Sequence, residues 1–124
     1  MSKKIHEFND IIRKLRKELF GKGPERIHTV FIDNMVISTL YGNLTPTEQF
    51  IAGTPEGKEM VHAARTRMIQ EVYEKAPPDG MEEVVGAKFV HLFSDFKIEV
   101  DMAVSVFLFD RPIEPKGGKP DGFR

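Results

Sequence analysis

The sequence contains no cysteine, which excludes disulfide bonds, thiolate metal sites and a cysteine nucleophile. It has no apolar run long enough to cross a membrane, and its start, MSKKIHEFND, lacks the apolar centre of a signal peptide. No Gly-x-Ser-x-Gly motif occurs, and the four histidines are scattered without metal-ligand spacing. We therefore expect a cytoplasmic protein with no transmembrane segment, no cofactor and no metal site, and no residue is assigned a catalytic role.

Excess charge of one sign is also missing, because 18 Lys and Arg oppose 19 Asp and Glu. The two signs are nevertheless separated along the chain. Residues 1–26 hold eight basic and four acidic side chains, whereas residues 77–110 hold two and seven. The near-neutral total and the lack of basic strands with interleaved aromatics argue against nucleic-acid binding. The basic and acidic segments can instead attract one another within the fold or between subunits.

What is present is a pattern of alternating helix and hairpin signals. A chain of 124 residues has the length of one domain. The order of elements is predicted as α-β-β-α-α-α-β-β, an α+β fold in which two hairpins form one antiparallel four-stranded sheet with helices packed on it. We place this single domain at residues 1–110. Residues 111–124 are rich in Pro and Gly, so we expect them to be a flexible C-terminal tail.

Four helices are predicted from apolar spacing and capping residues. The first runs from about Lys3 to Phe20, with Leu15 in its apolar stripe. Thr45 and Glu48 form a capping box for the second. The third is a long helix to about Lys75, and Asp79 is expected to cap the fourth. The basic side of the first helix is predicted to be solvated and consists of Lys3, Lys4, Arg13, Lys14, Arg16 and Lys17. The long helix is expected to bury one stripe, formed by Met60, Ala64, Met68 and Val72 and flanked by Val61, Ile69 and Ala76.

Both hairpins carry apolar residues on both faces of their strands. The first turns at Asp33-Asn34, which suit a type I′ turn. The second is expected to pair about Lys88–Ser94 with Val100–Phe109. A sheet packed on one side alternates apolar and polar residues, so the second face of this sheet needs a cover. A second copy of the chain is the economical cover, and we predict a homodimer. The interface candidates are Leu15, Phe107 and Phe109.

Chemistry is suggested mainly by three carboxylates in HLFSDFKIEVDMAV, the stretch from His91 to Val104. Asp95, Glu99 and Asp101 are close enough in sequence to form a ligand-binding site, for example for a divalent cation. The sequence has no calcium-loop spacing there, so solvated carboxylates at the end of a hairpin are the simpler interpretation. On the long helix, Lys58, Arg65 and Arg67 could form an anion site, but we expect a solvated face.

Three stretches together resemble the MpsC-like family of small bacterial proteins, once known only as a domain of unknown function. They are ELFGKGP, DNMVISTLYGNLTPTEQ and FSDFKIEVDMAVSVFLF, and the resemblance covers residues 4–110. It implies a non-enzymatic soluble accessory or regulatory protein that acts by protein–protein contact. The context it implies is a membrane-potential-generating system linked to inorganic carbon uptake.

On this resemblance the chain is expected to be peripheral to the inner membrane, as a subunit of a transport complex. The family offers no catalytic residue to carry over, although Asp95 and Asp101 fall on its acidic positions. The alternative is a small-ligand- or metal-binding protein, or an enzyme, that uses the acidic hairpin end.

Overall fold

The structure is a computed structural model, and it describes residues 2–113. It contains a four-stranded antiparallel sheet in the order β1-β2-β4-β3, with helices packed on one face. The predicted α+β class and order of elements are confirmed. The elements are α1 Ser2–Phe20, β1 Arg26–Ile32, β2 Met35–Tyr41, α2 Pro46–Ile51, α3 Pro55–Lys75, α4 Met81–Val85, β3 Phe89–Lys97, a short 3-10 helix Ile98–Val100 and β4 Met102–Phe109.

Helix α1 packs its apolar stripe onto the sheet, and Phe8 and Ile12 are buried there. Arg16 is also buried, with only 6% of its surface exposed, so its placement on a solvated basic side was wrong. It follows Ile12 by one helical turn, and its side chain therefore shares the sheet-facing stripe. The helix ends at Gly21, whose φ of +83° suits glycine and whose amide donates to the Lys17 carbonyl at 2.8 Å.

The first hairpin has the predicted register, with Ile32 opposite Met35. Its turn is not type I′, because that turn requires positive φ at both central residues and only Asp33 has it, at 54°. Asn34 instead ties the turn to the end of β4. Its side-chain amide donates to the Phe109 carbonyl at 3.1 Å, and its own carbonyl accepts from the Phe109 amide at 2.9 Å.

The second hairpin differs from the prediction in where its first strand ends. Strand β3 continues to Lys97, so Asp95 lies within the strand rather than in the connection. The chain then makes the 3-10 helix, which contains Glu99, and reverses at Asp101 with φ of +50°. Asp95 therefore lies in a strand, Glu99 in a 3-10 helix and Asp101 at a left-handed turn position.

The capping box of α2 is confirmed, since the Thr45 side chain accepts from the Glu48 amide and the Glu48 side chain accepts from the Thr45 amide. The predicted buried stripe of α3 is confirmed at Val61 and Ile69. It was wrong at Met60, which is 63% exposed. The centre of the stripe lies one residue further along the helix than predicted, because Arg65 belongs to it and a count of apolar residues does not indicate that. The buried residues of α3 are Gly57, Val61, Arg65, Ile69 and Tyr73.

Helix α4 begins after Gly80, which has φ of +86° and makes no side-chain cap, so the predicted cap by Asp79 was wrong. Beyond β4 the described chain remains packed as far as Ile113. This side chain is buried, and its amide donates to the Asp33 carbonyl at 2.8 Å. The expected flexible tail otherwise concerns residues 114–124, which lie outside the described residues.

The two faces of the sheet have different surroundings. On the side that we call the covered face, α1 and α3 pack against the strands. There the Phe8 and Phe107 rings meet edge to face at 5.1 Å, and Tyr73 reaches Phe107 at 5.7 Å. The opposite side, which we call the open face, carries the alternate residues of each strand.

Candidate functional site

The open face carries a continuous band of apolar side chains across all four strands. The register places Val30 beside Ile37, Ile37 beside Val106, and Val106 beside Phe93. We call these four residues the apolar row. Its two ends are exposed, Val30 at 41% and Phe93 at 58%. An apolar patch of this kind on a sheet marks a docking surface more often than a solvated one.

The apolar row is extended on one side and bordered by polar groups on the other. Ile32, Met35 and Leu108 form the next row and are half-buried. At the other end of the face, the Arg26 guanidinium lies over the Tyr41 ring at 4.1 Å. An apolar centre beside a polar rim is the arrangement of a protein–protein contact surface.

The interface candidates from the sequence lie elsewhere. Phe107 and Phe109 belong to the covered face, where the chain's own helices leave them 2% and 1% exposed. A single chain does not test the expected interface, but these two side chains are already used in the core. Leu15 is half-buried and lines a groove of about 480 Å³ between α1 and the end of α3, together with Ile11 and Val72. Surface contact can therefore involve Leu15.

Two of the three acidic candidates border a shallow groove of about 340 Å³ beside α3. Nε2 of His62 lies 2.9 Å from Oδ1 of Asp95, and Lys58 lies 3.8 Å from Glu99. The hydrogen bond from His62, joined by one from the Phe96 amide, lowers the pKa of Asp95. His62 was not a site candidate in the sequence, because nothing in the spacing relates it to a residue 33 positions away.

Asp101 does not join this groove. Its carboxylate accepts hydrogen bonds from the backbone amides of Asn43, at 2.9 Å, and Leu44, at 3.2 Å. These bonds hold the connection between β2 and α2 against the second hairpin. Asp101 is therefore a structural carboxylate in this fold. Within residues 2–113, no group of three or more His, Cys, Asp or Glu is arranged to hold a metal ion.

The structure also contains a buried ion pair that was not predicted from the sequence. Arg65, 3% exposed, donates from Nε and Nη2 to the Glu48 carboxylate at 2.8 and 2.7 Å. Its guanidinium also lies 4.0 Å over the Phe20 ring. Burial raises the pKa of Glu48, but hydrogen bonds from Arg65 and Thr45 outweigh it and hold that pKa below its usual value.

The expectation of a solvated face at Lys58, Arg65 and Arg67 was therefore wrong for Arg65. Arg67 is exposed and pairs with Glu71 at 2.9 Å, so the three basic residues do not share an anion site. The available signal was the position of Arg65, four residues after Val61 and four before Ile69.

Comparison with known proteins adds a family. A family model described as "Na+-translocating membrane potential-generating system (MpsC)" matches residues 2–111. "Uncharacterized protein YrhF" of Bacillus subtilis (strain 168) is 76% identical over 114 residues, which cover 92% of this chain and 93% of that one. "Uncharacterized protein YbcI" of the same organism is 25% identical over 108 residues, with 87% and 86% covered. No solved structure matches significantly. None of the helices in the described range has the length and apolarity needed to span a membrane.

Proposed function

The chain belongs to the MpsC family, and we propose that it is a non-enzymatic accessory protein of a Na+-translocating, membrane-potential-generating transport system. It acts through protein–protein contact at the open face of its sheet. The observation that supports this proposal most is the apolar row, which the chain's own helices leave partly exposed. A contiguous apolar patch that stays exposed on a folded domain marks an interaction surface.

The first occupant of the open face is a second copy of the chain. Two such faces can pack at the ordinary sheet-to-sheet separation of about 10 Å. Moving an exposed Phe, Ile or Val to full burial contributes roughly 1.5–3 kcal/mol, and each member of the partly buried apolar row contributes a fraction of that. A symmetric contact buries each member of the apolar row twice, once per subunit. The sum is large enough to offset the association cost of about 4–15 kcal/mol.

The dimer is cytoplasmic and peripheral to the inner membrane, where it joins the transport complex. The exposed side of α1 carries Lys3, Lys14 and Lys17 together with Glu7, Asp10 and Glu18, so it presents charges of both signs. A mixed charged surface of this kind can pair with complementary charges on a partner. The groove beside Leu15 lies on the same helix and provides apolar contact for that partner.

The proposal is tested by the sodium-dependent membrane potential of native cells that lack this chain. We expect the potential to fall on deletion and to return with the wild-type chain. Phe93→Asp should fail to restore it, because a carboxylate in the apolar row opposes docking. Phe50→Asp is the matched control, since Phe50 is 86% exposed on α2 and should restore the potential. An unchanged potential after deletion would refute the transport role.

A second candidate function is small-ligand or metal binding at the acidic hairpin end. It is favoured by one contact, the approach of His62 to Asp95 in the groove beside α3. Thermal midpoints with and without Mg²⁺ or Ca²⁺ separate the two candidates. The docking function predicts no metal-dependent rise. A large rise that disappears in Asp95→Asn, with Glu99→Gln as the companion variant, would favour the ligand-binding function.

A further inference from the structure

A buried arginine on α1 has no carboxylate beside it. Within residues 2–113, Arg16 forms no ion pair, although only 6% of its surface is exposed. Its one described hydrogen bond runs from Nη2 to Oγ of Ser105 at 3.4 Å, which is long. A guanidinium has five N–H donors, and a buried cation is unfavourable unless it is compensated.

The nearest buried charge has the same sign. Arg16 and Arg65 line one small cavity between α1, α3 and the sheet. Arg65 is compensated by Glu48, so the three side chains together carry an excess of one positive charge. Burial lowers the pKa of Arg16 to about 10, with Tyr73 opposing this change and Arg65 adding to it, so Arg16 stays charged at neutral pH. The electrostatics of the cavity therefore favour an anion over a neutral molecule.

Hydroxyl groups complete the lining of the cavity. Oγ of Ser94 lies 3.2 Å from Oγ of Ser105, and Thr66 and Ser94 are half-buried at the edge of the site. The Thr66 hydroxyl donates to the His62 carbonyl at 2.9 Å, whereas the Ser94 hydroxyl can accept from Ser105 and rotate to donate to an anion without adding charge. Their partial exposure also gives an ion a route from solvent.

We propose that the cavity between Arg16 and Arg65 is a binding site for one monatomic anion, chloride being the physiological choice. Its volume of about 10 Å³ is that of a single water-sized sphere. A halide is somewhat larger than water, so its entry requires a small outward shift of the half-buried Thr66 and Ser94 side chains, whereas phosphate and sulfate are larger still. The bound ion balances Arg16 and accepts hydrogen bonds from its guanidinium. It thereby fixes α1 to α3 across the covered face.

The test compares thermal midpoints in sodium chloride and sodium gluconate at equal ionic strength. The wild-type midpoint should rise by several degrees as chloride replaces gluconate, and the rise should saturate. Arg16→Met should abolish the difference between the salts. Arg13→Met is the matched control, because Arg13 is an exposed arginine on the same helix and should keep the full difference. Equal wild-type midpoints in both salts would overturn the proposal.

A second measurement does not depend on the stability of a variant. Wild-type crystals soaked in sodium bromide should show an anomalous peak between Arg16 and Arg65, while the same site should stay without sulfate in sulfate-soaked crystals. A water peak with no anomalous signal in bromide would overturn the proposal. A chloride effect on the thermal midpoint that persists undiminished in Arg16→Met would also overturn the proposal.

Discussion

A sheet covered on one side usually has apolar residues on its covered face and polar residues on its open face, and the centre of this sheet has the reverse. On the covered face, one cross-strand row consists entirely of hydroxyl side chains: Thr29, Ser38, Ser105 and Ser94. The apolar row of the open face is its immediate neighbour along every strand. The hydroxyl row is mostly buried, whereas the apolar row is partly exposed.

The difference shows that a polar row can be buried when its hydroxyls find hydrogen-bond partners, whereas an apolar row can remain partly exposed when no helix covers it. The hydroxyl row is satisfied within the chain. Oγ1 of Thr29 lies 2.6 Å from Asn9 and 2.8 Å from Ser38, and Ser105 meets both Ser94 and Arg16. Polar groups with such partners can be buried at little cost. Within residues 2–113 the apolar row has no comparable cover, since Val30 and Phe93 at its ends stay exposed, and this is the basis of the proposed docking at the open face.

Truncating one phenylalanine on each face should lower the free energy of unfolding by very different amounts, although the two side chains are the same size. Phe107→Ala should lower the free energy of unfolding by about 3–5 kcal/mol, because it leaves a cavity in the core. Phe93→Ala should cost the monomer less than about 1 kcal/mol. Urea denaturation at low protein concentration measures both values. Similar losses for the two variants would show that the open face is packed within the chain.

The charged groups of the covered side should make stability depend on pH. The pKa of Glu48 is lowered in the folded protein, so its contribution is present above the unfolded pKa near 4.5 and is lost as the pH falls through the folded pKa. Glu48→Gln should cost about 3 kcal/mol at pH 7, because Arg65 stays buried.

Below pH 4.5 the free energies of unfolding of the wild type and of Glu48→Gln should approach one another. Urea denaturation of wild type and variant between pH 7 and pH 3 gives this difference, and the other carboxylates cancel in it. A difference that stays constant over this range would contradict the assigned role of the Glu48 pair.

The two aspartates of the second hairpin should differ in a smaller but measurable way. Asp101→Asn should cost about 1–2 kcal/mol, because the charged acceptor of the Asn43 and Leu44 amides is lost while Asn still tolerates positive φ. Asp95→Asn should change stability by less than about 0.5 kcal/mol, since its pair with His62 is exposed. Thermal denaturation of both variants measures the contrast. A larger loss at Asp95 would reverse the assignment.

Much of the architecture could be predicted from the sequence, because local signals determine it. The Thr45 capping box and the hairpin register at Asp33 follow from short-range chemistry. The apolar residues on both faces of the strands correctly indicated that one face would lack a cover from the helices. Which face the helices would cover could not be predicted, and the interface candidate Phe107 lies on the covered face.

The candidate site was less accessible to prediction, since long-range contacts determine it. Arg16 and Arg65 are buried because aromatic rings, a carboxylate and hydroxyls from distant segments surround them, and no spacing rule contains that information. Asp95 and Asp101 are six residues apart in sequence but take part in unrelated contacts. Proximity along the chain therefore does not by itself bring Asp101 to the groove that Asp95 borders.

The most direct test of the account is the solution mass of the wild-type chain and two matched variants by light scattering at micromolar concentration. The open face as a self-association surface predicts about twice the chain mass of 14.1 kDa for the wild type and for Phe50→Asp. Phe93→Asp should fall to the mass of one chain while retaining its circular dichroism spectrum. A wild type that stays at 14.1 kDa, or a Phe93→Asp variant that remains dimeric, would contradict it.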